Sequence, residues 1–181
     1  MKSSQLYIIV EFPALLRAVE EPEGVRPKQH GSFSPFKRRN QKKEMDLPQE
    51  LIGEILGKVR ELDADGRVRF IALYGSLVEG GGSGLSDIDV ALYYDGSEEE
   101  RFSFRVALQG ELGERFDVQI FQDLPLYVRR EIVARGKVIF YTDYDFLFNV
   151  YLQTLREYSD FERHLRTYYS YLEGAEVEGN G

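Results

Sequence analysis

The chain has 181 residues, no cysteine, a formal charge of −8, and 43% apolar and 13% aromatic residues. That length allows one domain of ordinary size with an appendage, and the apolar content excludes a globally disordered chain. Without cysteine there is no disulfide scaffold, thiolate zinc site or cysteine nucleophile, and no stretch approaches the roughly 18 apolar residues of a membrane span.

The reading is of a cytoplasmic protein: LYIIVEF at 6–12 follows Lys2 in the manner of a weak signal sequence, but Glu11 and Pro13 interrupt it and no cleavage pattern follows. Charge is uneven. Residues 1–46 hold nine Lys/Arg against six Asp/Glu, a net of +3, and residues 47–181 hold fourteen against twenty-five, a net of −11. An acidic body disfavours binding along a nucleic-acid backbone, which leaves KRRNQKK at 37–43 as the one basic run that could touch RNA.

Residues 1–45 read as an accessory segment, basic and in part a flexible linker over about 21–44, and Met45 could be the natural start. Asp46 can cap a helix near 47–62, with Pro48 in its first turn and Leu51, Ile52, Ile55, Leu56, Val59 and Leu62 at helical spacing. RVRFIALYG then reads as a buried strand ending at Gly75, followed by a short helical turn from Ser76, the glycine-rich loop Gly80–Gly84 and a second strand, SDIDVALYY. Ser97 with Glu100 forms a capping-box pattern opening a helix that Gly113 closes. RFDVQIF is a third strand, Pro125 starts a helix stopped by Gly136, and KVIFYT is a fourth strand. From Asp143 to about Leu172 neither Gly nor Pro occurs before Gly174, and Leu147, Tyr151, Thr154, Tyr158, Phe161, Leu165, Tyr168 and Leu172 mark the seam of one long helix. Residues 46–143 are therefore expected to form the main domain, 144–173 a helix that contacts a partner or a second copy, and 174–181 a flexible tail.

Asp87 and Asp89 lie two apart on one strand and so project from the same face. Two carboxylates about 4 Å apart repel by about 4 kcal/mol at an effective dielectric near 20. The nearest cations in sequence are Arg69 and Arg101, and a divalent cation, magnesium or manganese, is the simplest relief. Gly75 permits close backbone approach, and Ser76 presents a hydroxyl and N–H groups to an anion. A phosphate beside paired aspartates is the layout for metal-assisted phosphoryl or nucleotidyl transfer, and Asp117, a carboxylate inside RFDVQIF, is the candidate third acid. Rival motifs fail. GSLVEGG lacks the Lys-Ser/Thr of a P-loop, and GGGSG precedes a strand rather than opening a helix. His30 and His164 are solitary.

Gly75-Ser76, then Asp87-x-Asp89, then a third aspartate on a later strand together resemble the DNA polymerase β-type nucleotidyltransferases, and over about 47–160 the minimal members that accompany HEPN-domain toxins. The resemblance implies an α/β (α+β) fold, a short mixed sheet flanked by helices, here with a long C-terminal helix. It implies that Asp87 and Asp89 hold metal ions carrying ATP, with two magnesium ions expected. It further implies that Gly75 and Ser76 contact the phosphates, and that Asp117 holds the second metal and helps deprotonate the attacking hydroxyl. The implied reaction is transfer of AMP to a tyrosine of a HEPN-type toxin, making the protein an antitoxin. The alternatives are a non-catalytic protein that masks such a toxin, and a nucleotidyltransferase acting on a small molecule or RNA end. Members often carry an arginine shortly after the Gly-Ser pair; here those positions are Leu77, Val78 and Glu79.

Overall fold

The computed structural model describes residues 47–79 and 87–178. The expectations for residues 1–46, for the glycine loop and for residues 179–181 lie outside them.

Helix α1, Gln49–Leu62, buries Leu51, Ile52, Ile55, Leu56 and Val59. It starts two residues later than the expected start near 47. Pro48, at ψ 122°, is non-helical and occupies the N-cap position, and its side chain has nothing to donate or accept. Strand β1, Val68–Tyr74, leads through Gly75 to the four-residue helix α2, Ser76–Glu79, and β2 is Ile88–Tyr94. Helix α3, Glu98–Leu112, has the complete capping box: the Ser97 hydroxyl accepts from Glu100 N and the Glu100 carboxylate accepts from Ser97 N. Gly113, at φ +80°, closes it in a conformation that side chains rarely adopt. Strand β3 is Phe116–Ile120, followed by a 3-10 turn, Phe121–Asp123; helix α4 is Leu126–Arg135 and strand β4 Lys137–Tyr141.

The four strands form one mixed sheet in the order β3-β2-β1-β4, with β1 antiparallel to both neighbours and β2 parallel to β3. The expected mixed sheet is thus present. Alternation along the strands divides the core in two. Ile71, Leu73, Val90, Leu92, Val118 and Ile120 pack against α1 and α3. Phe70, Ala72 and Ala91 pack on the opposite face with Ile132 and Val133 of α4 and residues of the last helix.

Side chains fix the outer strand. Gln109 of α3 donates to Gly113 O and Phe116 O at 3.0 and 2.7 Å and accepts from Val118 N at 2.9 Å. This satisfies backbone groups along the free edge of β3 and holds Asp117 in register. The last helix, α5, runs Tyr144–Glu178, past the expected end near Leu172, with the Asp143 carboxylate accepting from Asp145 N and Phe146 N at its start. Its 35 residues span roughly 52 Å at 1.5 Å each. Leu147, Tyr151, Thr154 and Leu155 are buried on the sheet, whereas Phe161 and Tyr168 are 49% and 58% exposed. Among the described residues no helix is long and apolar enough to cross a membrane.

Candidate active site

One lateral row across the sheet collects two of the candidate residues, Asp89 and Asp117. Tyr74, the last residue of β1, pairs with Asp89 of β2, and Asp89 pairs with Asp117 of β3. Paired residues in neighbouring strands share a face and lie about 4.8 Å apart. Ile88, Val90 and Val118 turn to the other side and are buried there, so the apolar alternation holds both aspartates on the face that also carries α4 and α5. Asp89 and Asp117 are half-buried, and Asp87, just before β2, is exposed.

The electrostatics match that crowding. Burial raises the Asp89 carboxyl above the usual carboxylate range, and the charges of Asp117 and Asp87 push it further the same way. Tyr74 is raised to about 12, first by burial and then by Asp89 and Asp117, so its phenol stays protonated beside the acids. Gln119, two residues along β3 and on the same face, donates to the Asp117 carboxylate at 2.7 Å and orients it. Arg69 and Arg101, the nearest cations in sequence, are directed elsewhere. Arg69 stands 3.9 Å from Asp95 and over the Phe146 ring, and Arg101 is paired with Asp123 at 2.7 Å.

Gly75 is tied to the site by geometry. Its φ is +71°, and a Cβ there would run into the Asp89 carboxylate. Only glycine allows this turn and this carboxylate to coexist without displacement. Ser76 follows directly and opens α2, half-buried. Next to the turn, a pocket of about 330 Å³ is lined by Tyr74, Gly75 and Val78, by Tyr127, Val128, Arg130, Glu131 and Arg135 of α4, and by Tyr158 of α5.

The structure therefore brings Gly75, Asp89 and Asp117 together, with Asp87 near enough to act on Asp89. Among the described residues no three His, Cys, Asp or Glu side chains already close into a metal cage. The donors are carboxylate oxygens whose mutual repulsion a cation would relieve, and magnesium takes one or two carboxylates while keeping waters and phosphates as its other ligands; the residues fit a hard divalent cation. The sequence reading passed over Tyr74, Gln119 and the α4 arginines. Strand alternation from Asp117 could have marked Gln119; nothing in the sequence brings Arg130 next to Gly75.

A four-stranded mixed sheet thus carries a glycine turn and paired aspartates at one end. Residues 58–145 match the family described as "Polymerase beta, Nucleotidyltransferase". Over 70 residues it is 39% identical to "Putative protein adenylyltransferase MJ1547" of Methanocaldococcus jannaschii, covering 39% of this chain and 53% of that protein. The chain thus spans about half the length of the curated relative it matches. Among solved structures, a toxin-antitoxin with AMP-PNP is similar at a TM-score of 0.50 and 20% identity, covering 65% of this chain and 97% of that one. A Shewanella oneidensis complex of tri-AMPylated HEPN toxin with MNT antitoxin is similar at 0.51 and 17%, covering 70% and 99%. A mutant of the MntA-HpeT toxin-antitoxin gives 0.53 and 17%, covering 67% and 98%. At these identities the likeness is one of fold.

Proposed function

We propose that the protein is a metal-dependent nucleotidyltransferase that moves AMP from ATP to a hydroxyl, a tyrosine of a HEPN-type partner toxin, and thereby acts as an antitoxin. The observation that carries this reading is the pairing of Asp89 with Asp117 beside the positive-φ turn at Gly75, where a Cβ would meet the Asp89 carboxylate. The adenylyltransferase name of the Methanocaldococcus jannaschii relative and the AMPylated toxin in a complex of similar fold support the choice of reaction and partner.

In this reading Asp87, Asp89 and Asp117 hold the cations, with two magnesium ions expected. A divalent cation bound there would neutralise the triphosphate and make its α-phosphorus more electrophilic. Gly75 lets the backbone come close to the phosphates, and Ser76 offers its hydroxyl and N–H to them. Asp117, oriented by Gln119, accepts the proton of the acceptor hydroxyl as its oxygen bonds to the α-phosphorus. The bond from that phosphorus to the bridging oxygen breaks, and pyrophosphate leaves. Tyr74 stays a neutral hydrogen-bond donor beside the acids.

A second reading has one observation in its favour. Phe161, Leu165 and Tyr168 continue the α5 seam beyond the buried part and are exposed, a surface that could cover a partner without chemistry. Incubation with labelled ATP, magnesium and the partner toxin separates the two. Label on the toxin that disappears with Asp87→Asn and Asp89→Asn supports transfer. Toxin neutralisation that survives both substitutions, with no label, supports masking.

A further inference from the structure

We propose that Arg130 and Arg135 of α4 form the binding site for the phosphate chain of a nucleoside triphosphate, in the pocket beside the Gly75 turn. The inference deepens the nucleotidyl-transfer reading and rests on it.

A triphosphate brings several negative charges to a place that already holds three carboxylates, so cations from the protein are needed as well as those the aspartates bind. Arg69 of β1 and Arg101 of α3 do not supply them, since they are directed to Asp95 and Asp123. The pocket does. Gly75 is a wall common to both places: it lines the pocket, and its Cα backs onto the Asp89 carboxylate. An anion held at the aspartates therefore has only a short way to go before it meets α4.

There Glu131 stands between the two arginines, 2.9 Å from Arg135 and 3.5 Å from Arg130. The Arg130 guanidinium also lies 5.4 Å from the centre of the Tyr158 ring. This contact restrains a group whose fork matches phosphate oxygens. Ion pairs this open to solvent are weak and exchange readily, and the Arg135 side chain is 62% exposed. A phosphate oxygen can take the position of the Glu131 carboxylate on both arginines. The mouth is open, since Tyr127 is 65% exposed. On this view Glu131 orders the arginines when no triphosphate is bound and competes with it when one arrives.

The test is calorimetric titration of the full chain with magnesium ATP, magnesium tripolyphosphate and AMP. Arg130→Gln and Arg135→Gln should each weaken ATP and tripolyphosphate about tenfold and change AMP less than about twofold. Glu131→Gln should tighten ATP and tripolyphosphate about twofold or more, a sign that loss of folding does not produce. Tripolyphosphate that binds wild type, R130Q and R135Q alike overturns the assignment, as does a loss shared equally by ATP and AMP or an E131Q that weakens both anions. A wild type that binds no nucleoside triphosphate overturns the nucleotidyl-transfer reading itself, and this inference with it.

Discussion

Asp89 is half-buried, faces Asp117 across the strand pair and has the Gly75 backbone against its carboxylate. Its raised pKa means that ionisation opposes folding while no cation is bound. Asp89→Asn should therefore raise the thermal midpoint of the metal-free protein, by an amount worth about 1 kcal/mol or less because solvent screens the pair. The same change should abolish the further rise that magnesium ATP gives the wild type. Calorimetry with and without magnesium ATP checks both signs; a lower midpoint without metal would contradict the electrostatic account. Gly75→Ala tests the backbone side of the same contact. Alanine at φ +71° costs about 1–2 kcal/mol, and its Cβ displaces the Asp89 carboxylate, so stability and AMP transfer should both fall. Combining it with Asp89→Ala should recover part of the stability and none of the transfer, as read by denaturant unfolding.

At the scale of elements, what was legible in the sequence is what local chemistry decides. Ser97, Glu100 and Gly113 bound α3 because a hydroxyl, a carboxylate and a positive φ are each local requirements. Ser97→Ala should cost about 1 kcal/mol in denaturant unfolding. Glu100 also meets Arg67 at 2.7 Å, and that hydrogen bond, with the Ser97 N–H, holds its carboxyl near 2 against an ordinary 4.5. A carboxyl with a lowered folded pKa stabilises above its ordinary value and loses that contribution as pH falls towards 2. Glu100→Gln should accordingly be less stable than wild type at pH 7, with the difference shrinking between about pH 4.5 and 2. Asp89 was legible through strand alternation and Asp117 as a carboxylate in an apolar run, whereas Asp87, expected on the same strand, stands just before β2. What was not legible depends on distant chain. The lateral row from Tyr74 to Asp117 needs the strand order, and the place of Arg130 beside Gly75 needs α4 to fold back over β1. Even locally, Pro48 at the N-cap displaced an expected helix start, because its own backbone geometry outranks the apolar pattern that follows.

At the scale of the whole molecule, α5 has two unlike halves. The first buries Leu147, Tyr151 and Leu155 on the sheet; further along, Phe161, Leu165 and Tyr168 carry the same seam into solvent at 49%, 36% and 58% exposure. A seam that only packs its own domain has no use for aromatic residues past the last buried position, and such a surface calls for another protein. In the proposed antitoxin reading that protein is the toxin, docked on the exposed part of α5. Replacing Leu165 and Tyr168 together by aspartate removes the apolar surface while leaving the sheet, the acids and the α4 pocket untouched. Because both side chains are exposed, the thermal midpoint should move by no more than about 0.5 kcal/mol equivalent. Affinity for the toxin should fall tenfold or more, and so should the rate of its labelling at limiting concentration, while ATP affinity stays as in wild type. Surface plasmon resonance with immobilised toxin and calorimetry with magnesium ATP read the two sides separately. Unchanged toxin affinity, with sedimentation now showing monomers where the wild type forms dimers, would instead assign the stripe to a second copy of this chain.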